Sequence, residues 1–162
     1  MVAFLRVTVS ATIQAATYLD SLTPTITAVV GQYPDTFSAA VLRNPVIMSQ
    51  PTSTDIPDWY FFEFGVQPST ESEQLPPELY AQLYPSSPIA HVRNVKVPVL
   101  LLLGLEDRRV VNVQGKAFFH ALRGLGKKVE LLTFEGEGHA LDGVEAARVG
   151  WDVTVDWFGK AA

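Results

Sequence analysis

Cysteine is missing from the chain altogether. Its absence excludes disulfides, thiolate metal sites and a cysteine nucleophile, and it agrees with a reducing compartment. Basic charge is sparse: Arg108-Arg109 and Lys127-Lys128 are the only adjacent pairs, and the formal net charge is -5. That is too thin a footprint for nucleic acid, so none is expected as a partner. No uninterrupted apolar run approaches the roughly 18 residues of a membrane span, so no membrane association is expected. Arg6 interrupts the apolar start where a signal peptide would need to be uncharged, so a cytoplasmic location is expected. Glycine is missing from the first thirty residues, Gly31 being the first of eleven. No Gly-x-Ser-x-Gly turn can lie before it, and no serine anywhere in the chain has glycine at both minus two and plus two.

What is present fits an ordinary globular domain. The chain has 162 residues, 48% hydrophobic and 18% charged, enough to bury a core and too apolar for disorder. Val97 to Leu103 is a continuous apolar run ending at Gly104, the pattern of a parallel strand buried on both faces. From Val111 to Leu125 the apolar positions Val113, Ala117, Phe118, Ala121, Leu122 and Leu125 keep helical spacing, ended by Gly124 and Gly126. Val129 to Phe134 reads as a second buried strand. Beyond it Val144, Ala147, Trp151, Val155 and Phe158 recur every three or four residues, predicting a final amphipathic helix with Arg148 and Asp152 paired on its outer side. Strand, helix, strand, helix with short loops implies a βαβ crossover in a parallel sheet, an α/β fold.

The first half is less regular. Ser38 to Leu42 is a short candidate strand that stops at Asn44-Pro45. Asp58 to Phe64 and Pro77 to Leu83 are candidate helices, and the Pro/Ser/Glu-rich stretch from Gly65 to Pro76 reads as a surface loop or insertion. Trp59-Tyr60-Phe61-Phe62 is read as core first and as a pocket lining second. Residues 1–30 fit no strong template.

Two loops carry chemistry. Asp107 lies just past the end of the first buried strand, where open α/β sheets place their ligands and reacting groups. A carboxylate there can accept an imidazole N–H, fix its tautomer and stabilise the imidazolium. Its plainer readings are a helix N-cap or an ion pair with Arg108 or Arg109. His139 sits in Gly136-Glu-Gly-His139 between the second strand and the last helix, with glycines that permit a sharp bend. Taken singly, a loop histidine is more often an exposed residue. The order Asp then His, each beyond a buried strand, is that of the acid and base of a Ser-His-Asp triad in α/β-hydrolases. Other chemistries fit poorly. Gly124-Leu-Gly126 and Gly136-Glu-Gly138 lack the third glycine of a dinucleotide fingerprint, and Gly115-Lys116 is followed by alanine, unlike a P-loop. His91, His120 and His139 show no metal-ligand spacing. His91 is expected on the approach to a strand and His120 on the outer side of its helix. No cofactor or metal is expected.

The segments Gly31-Gln-Tyr-Pro-Asp-Thr-Phe37, Arg43-Asn-Pro-Val46, Ser53-Thr-Asp-Ile-Pro-Asp-Trp59, Ser87-Pro-Ile89, Pro98-Val-Leu-Leu-Leu-Leu-Gly104, Glu106-Asp-Arg-Arg-Val110 and Gly138-His-Ala-Leu141 together resemble the prolyl oligopeptidase family of serine peptidases, and within it the acylaminoacyl-peptidases. The resemblance implies residues 31–162 to be the C-terminal part of an α/β-hydrolase catalytic domain. The sheet would then be incomplete, with its C-terminal strands and helices only, and residues 1–30 a divergent segment of uncertain structure. It implies Asp107 as triad acid, His139 as general base, and N-acylated short peptides as substrate. Val110-Val111 stands where the family pattern continues Val-Pro, a minor departure. The nucleophile is the major one: Ser10 and Ser21 have no elbow context, because the strained turn needs flanking glycines. Two expectations follow: a serine hydrolase whose nucleophile these residues do not supply, or a catalytically inactive remnant or interaction module that pairs with a partner chain or forms an oligomer.

Overall fold

The computed structural model of the chain describes residues 30–48 and 77–161. The expectations for residues 1–29, for a helix over 58–64, for the 65–76 excursion and for the aromatic cluster at 59–62 lie outside the described residues. Three parallel strands form one sheet in the order β1 (Ala40–Arg43), β2 (Val99–Gly104), β3 (Val129–Phe134). Ala40 pairs with Val99, and Val99 in turn with Val129, so the three strands start in step. Between β1 and β2 lie helix α1 (Pro77–Ser86) and a 3-10 helix (Pro88–Asn94). Helix α2 (Val113–Gly124) makes the crossover from β2 to β3, and α3 (Val144–Ala161) closes the chain. The expected βαβ unit is therefore present, with each boundary within a few residues of the pattern.

The sheet is covered on both faces, which is what the uninterrupted apolar run of β2 requires. All six residues of β2 are buried. On one face Val99 and Leu101 pack with Ala40, Leu42, Phe118 and Leu122 of β1 and α2, and with Val92 and Val95. On the other, Leu100 and Leu102 pack with Ala39, Leu141 and Trp157. Burying each leucine removes apolar surface worth about 2 kcal/mol from water, so β2 is the backbone of the core. Gly115 is fitted to this strand: a Cβ there would run into the Leu103 side chain. Gln114 Oε1, also buried, accepts the backbone N–H groups of Ile47 and Met48 at 2.7 and 2.9 Å and so fixes the chain leaving β1.

Two expectations are corrected. β3 is not a fully buried strand but a half-buried one, with Glu130 and Thr133 exposed. Its polar residues mark the outer edge of the described sheet, where an edge strand meets water. The last helix is turned about its axis. Of the expected stripe, Val144, Ala147, Trp151 and Val155 face outward, Val144 being 90%, Trp151 58% and Val155 54% exposed. Trp157, Val153 and, of the expected stripe, Phe158 pack on the sheet instead, and Ala146 is buried. Both sets have helical spacing, so periodicity alone cannot choose between opposite faces. Arg148 and Asp152 do pair on the outer side, at 3.3 Å. Replacing Trp151 by alanine is accordingly expected to change the unfolding free energy by no more than about 0.5 kcal/mol, as for other surface substitutions. A urea titration of the two proteins measures this.

No helix among the described residues is long and apolar enough to cross a membrane.

Candidate active site

Parallel strands bring their C-terminal ends, and the loops that follow, to one edge of the sheet. The loop after β2 carries Asp107 and the loop after β3 carries His139, and the two loops are sewn together by backbone. Leu105 N–H donates to Phe134 O at 3.0 Å and Glu106 N–H to Glu137 O at 2.9 Å. Such close approach depends on Gly104, the last residue of β2. A Cβ at that position would lie 2.5 Å from Glu137 O and nearer still to Gly138 O. Only one of the two glycines flanking Glu137 is used for its conformation: Gly136 has φ +71°, where a side chain is strained. Leu141 holds φ +50° while buried, so the chain leaving His139 is held in a left-handed turn by its surroundings.

Asp107 and His139, expected from the sequence, are brought together. His139 Nδ1 lies 2.8 Å from Asp107 Oδ2. The other carboxylate oxygen accepts Arg109 N–H at 2.8 Å and Val110 N–H at 2.9 Å. Three N–H donors thus converge on a carboxylate whose side chain is wholly buried, while the imidazole is 14% exposed. The cap-like turn and the histidine pairing coexist, one on each oxygen, and Arg108 and Arg109 lie exposed beside them. Because Nδ1 faces a carboxylate, it carries the ring proton, and Nε2 is left as the basic nitrogen. Among the described residues Nε2 is buried and has no hydrogen-bond partner. An imidazole oriented in this way can take a proton from a hydroxyl and later return it to a leaving group.

The described serines stand elsewhere. Ser38 precedes β1 at the opposite edge of the sheet, and Ser86 and Ser87 donate to Gln82 O and Leu83 O around the end of α1. Ser10 and Ser21 lie outside the described residues. His91 sits in the 3-10 helix leading to β2, its Nε2 2.9 Å from Pro85 O, and His120 is exposed on α2. No group of His, Asp and Glu among the described residues is placed to hold a metal ion.

Arg43 and Asn44, which the sequence marks only as a strand end and as part of the Arg43-Asn-Pro-Val46 segment of the family resemblance, hold the histidine loop. Asn44 Nδ2 donates to Gly138 O and His139 O at 3.2 and 2.8 Å, and Arg43 donates to Ala140 O and Leu141 O at 2.8 and 3.2 Å. The only local signal was the Asn-Pro pair after an apolar run, which reads as a strand stop.

A parallel sheet with helices on both faces and a carboxylate–imidazole pair beyond adjacent strand ends define the α/β-hydrolase class of fold. Residues 24–162 match the family model described as "Prolyl oligopeptidase family". The acylamino-acid-releasing enzyme of Mus musculus is 43% identical over 131 residues, which are 79% of this chain and 18% of that protein. Its Homo sapiens counterpart is 45% identical over 119 residues, 72% of this chain and 16% of that protein. Among solved structures, an acylaminoacyl peptidase in complex with Z-Gly-Gly-Phe-chloromethyl ketone superposes with a TM-score of 0.65 at 28% identity, covering 83% of this chain and 21% of that one. The uncomplexed acylaminoacyl peptidase of Pyrococcus horikoshii gives 0.66 at 27% identity, covering 83% and 22%. The chain belongs to the prolyl oligopeptidase family of serine peptidases. It spans less than a fifth of the length of these curated relatives.

Proposed function

We propose that this chain is the acid–base part of a serine peptidase that releases N-acylated residues from short peptides. His139 is its general base and Asp107 orients that base. The observation that carries the reading is the 2.8 Å contact of Nδ1 with the buried Asp107 carboxylate, with Nε2 left without a partner among the described residues on the other side of the ring. In this scheme a serine hydroxyl gives its proton to Nε2 as it attacks the carbonyl of the acylated residue. The imidazolium, held by Asp107, then protonates the departing amine, and water resolves the acyl-enzyme by the same route in reverse. The serine needs an elbow that no serine context of this sequence offers. It therefore comes from a strand–turn–helix segment outside these residues, on an upstream stretch of polypeptide or on a partner chain. The N-acylated substrate class is drawn from the names of the relatives, acylamino-acid-releasing enzymes. A cytoplasmic location belongs to the same proposal.

The test is a completed catalytic unit, with residues 31–162 fused behind the remainder of the Mus musculus relative. It is expected to hydrolyse N-acetylalanine p-nitroanilide at least about tenfold faster, in kcat/KM, than the anilide of free alanine. A folded chimera that hydrolyses neither would favour a non-catalytic module. Equal rates on both would remove the N-acyl specificity.

A further inference from the structure

Asn44, which the scheme above does not use, is where the three strand ends are tied. It follows β1 directly, is buried, and holds φ +40°, a left-handed conformation that asparagine tolerates better than most side chains. Its backbone N–H is committed to Leu102 O at 2.9 Å. The carboxamide works on both sides. Oδ1 accepts Gly104 N–H at 2.8 Å, three residues before Asp107, and Nδ2 donates to the carbonyl of His139 at 2.8 Å and that of Gly138 at 3.2 Å. The orientation of the amide follows from its partners: only oxygen can serve Gly104 N–H, and only the NH2 group can serve two carbonyls. Arg43 takes the next two carbonyls, Ala140 O and Leu141 O. With Glu137 O held by Glu106 N–H, every carbonyl from 137 to 141 is therefore fixed.

We propose that Asn44 is the positioning residue of the His139 imidazole. A single carboxamide sets the separation between the backbone that leads into Asp107 and the backbone that carries His139. The inference rests on reading Asp107 and His139 as an acid–base pair. Without the two donors, the histidine loop keeps its attachment through Glu137 and Arg43 but loses the one at His139 itself. A loop shift of the order of 1 Å is enough to break a 2.8 Å ring contact.

The test is proton NMR of the imidazole N–H groups in the full 162-residue chain. In the wild type, the His139 Nδ1–H signal is expected to be protected from solvent exchange and to vanish in Asp107→Asn, whatever Asn44 does. Asn44→Asp keeps the shape, the tolerance for positive φ and the oxygen facing Gly104, and replaces the donor that faces the two carbonyls by a carboxylate oxygen that repels them; Asn44→Gly removes the amide without adding a charge. Both are expected to speed exchange of Nδ1–H by about tenfold or more while the amides of Leu100 to Leu102 keep wild-type protection. A purely structural role would leave the imidazole signal unmoved. A smaller acceleration with the sheet protected overturns the proposal. If either variant loses the sheet, the wild type decides: the Asn44 side-chain amide and His139 Nδ1–H must open together, with one denaturant dependence, and independent opening overturns it. A wild-type chain with no protected Nδ1–H overturns the acid–base reading itself, and this inference with it.

Discussion

Replacing Asp107 by asparagine in a catalytic unit that supplies the serine is expected to lower kcat by about 10^4 and leave the fold in place. The two carboxylate oxygens have different partners. Asparagine can keep the Oδ1 position that accepts Arg109 N–H and Val110 N–H, so the loop survives. The atom facing His139 Nδ1 at 2.8 Å then becomes an NH2 donor in place of an acceptor. The imidazole answers by moving its proton to Nε2, and the nitrogen needed as base becomes a donor. KM is expected to change much less than kcat, because the Asp107 side chain is wholly buried and acts through the imidazole; initial rates across a substrate series separate the two. A loss of under tenfold would mean that the buried carboxylate does not set the tautomer.

The second large effect concerns Gly104. Alanine at this position is expected to destabilise the chain by about 3 kcal/mol. The added methyl would meet the carbonyl oxygens of Glu137 and Gly138, and these belong to backbone that cannot swing aside like a flexible side chain. Relief requires the His139 loop to lift from β2. The bond from Glu106 N–H to Glu137 O is then broken, and the Asn44 carboxamide can no longer span its three partners. Chemical denaturation with an unchanged m-value reads the destabilisation directly. A loss under about 1 kcal/mol would show that the two loops are less tightly apposed than described. In the completed unit, activity is expected to fall with the loop even where the protein remains folded.

How far the sequence carried these conclusions depended on the range of the interactions involved. β2 was readable because burial on both faces needs an unbroken apolar run, here Val99 to Leu103 before Gly104, and such a run is a local property. The pairing of Asp107 with His139 was readable from order alone, since parallel strands must deliver their following loops to one edge. The phase of α3 was not readable. The helix carries apolar residues on two opposite faces, and the more regular set, Val144, Trp151 and Val155, is the outer one. β3 was read as fully buried because four of its six residues are apolar, whereas its neighbours across space decide its exposure. Asn44 and Gly104 were read as a strand stop and a strand end. Asn44 meets Gly104 and His139, 60 and 95 residues further on, and Gly104 lies against Glu137 and Gly138 of the next loop; nothing in local composition encodes such contacts.

In the proposed scheme His139, aimed by Asp107, is the base that activates a serine lying outside these residues. The most direct measurement is the rate of covalent capture by a fluorophosphonate probe, read by mass spectrometry to the modified residue. The completed unit is expected to be labelled at the elbow serine, and its His139→Ala variant about 10^4-fold more slowly. The 162-residue chain alone is expected to stay unlabelled. Labelling of any serine within the isolated chain, or equal rates with and without the imidazole, would contradict the account.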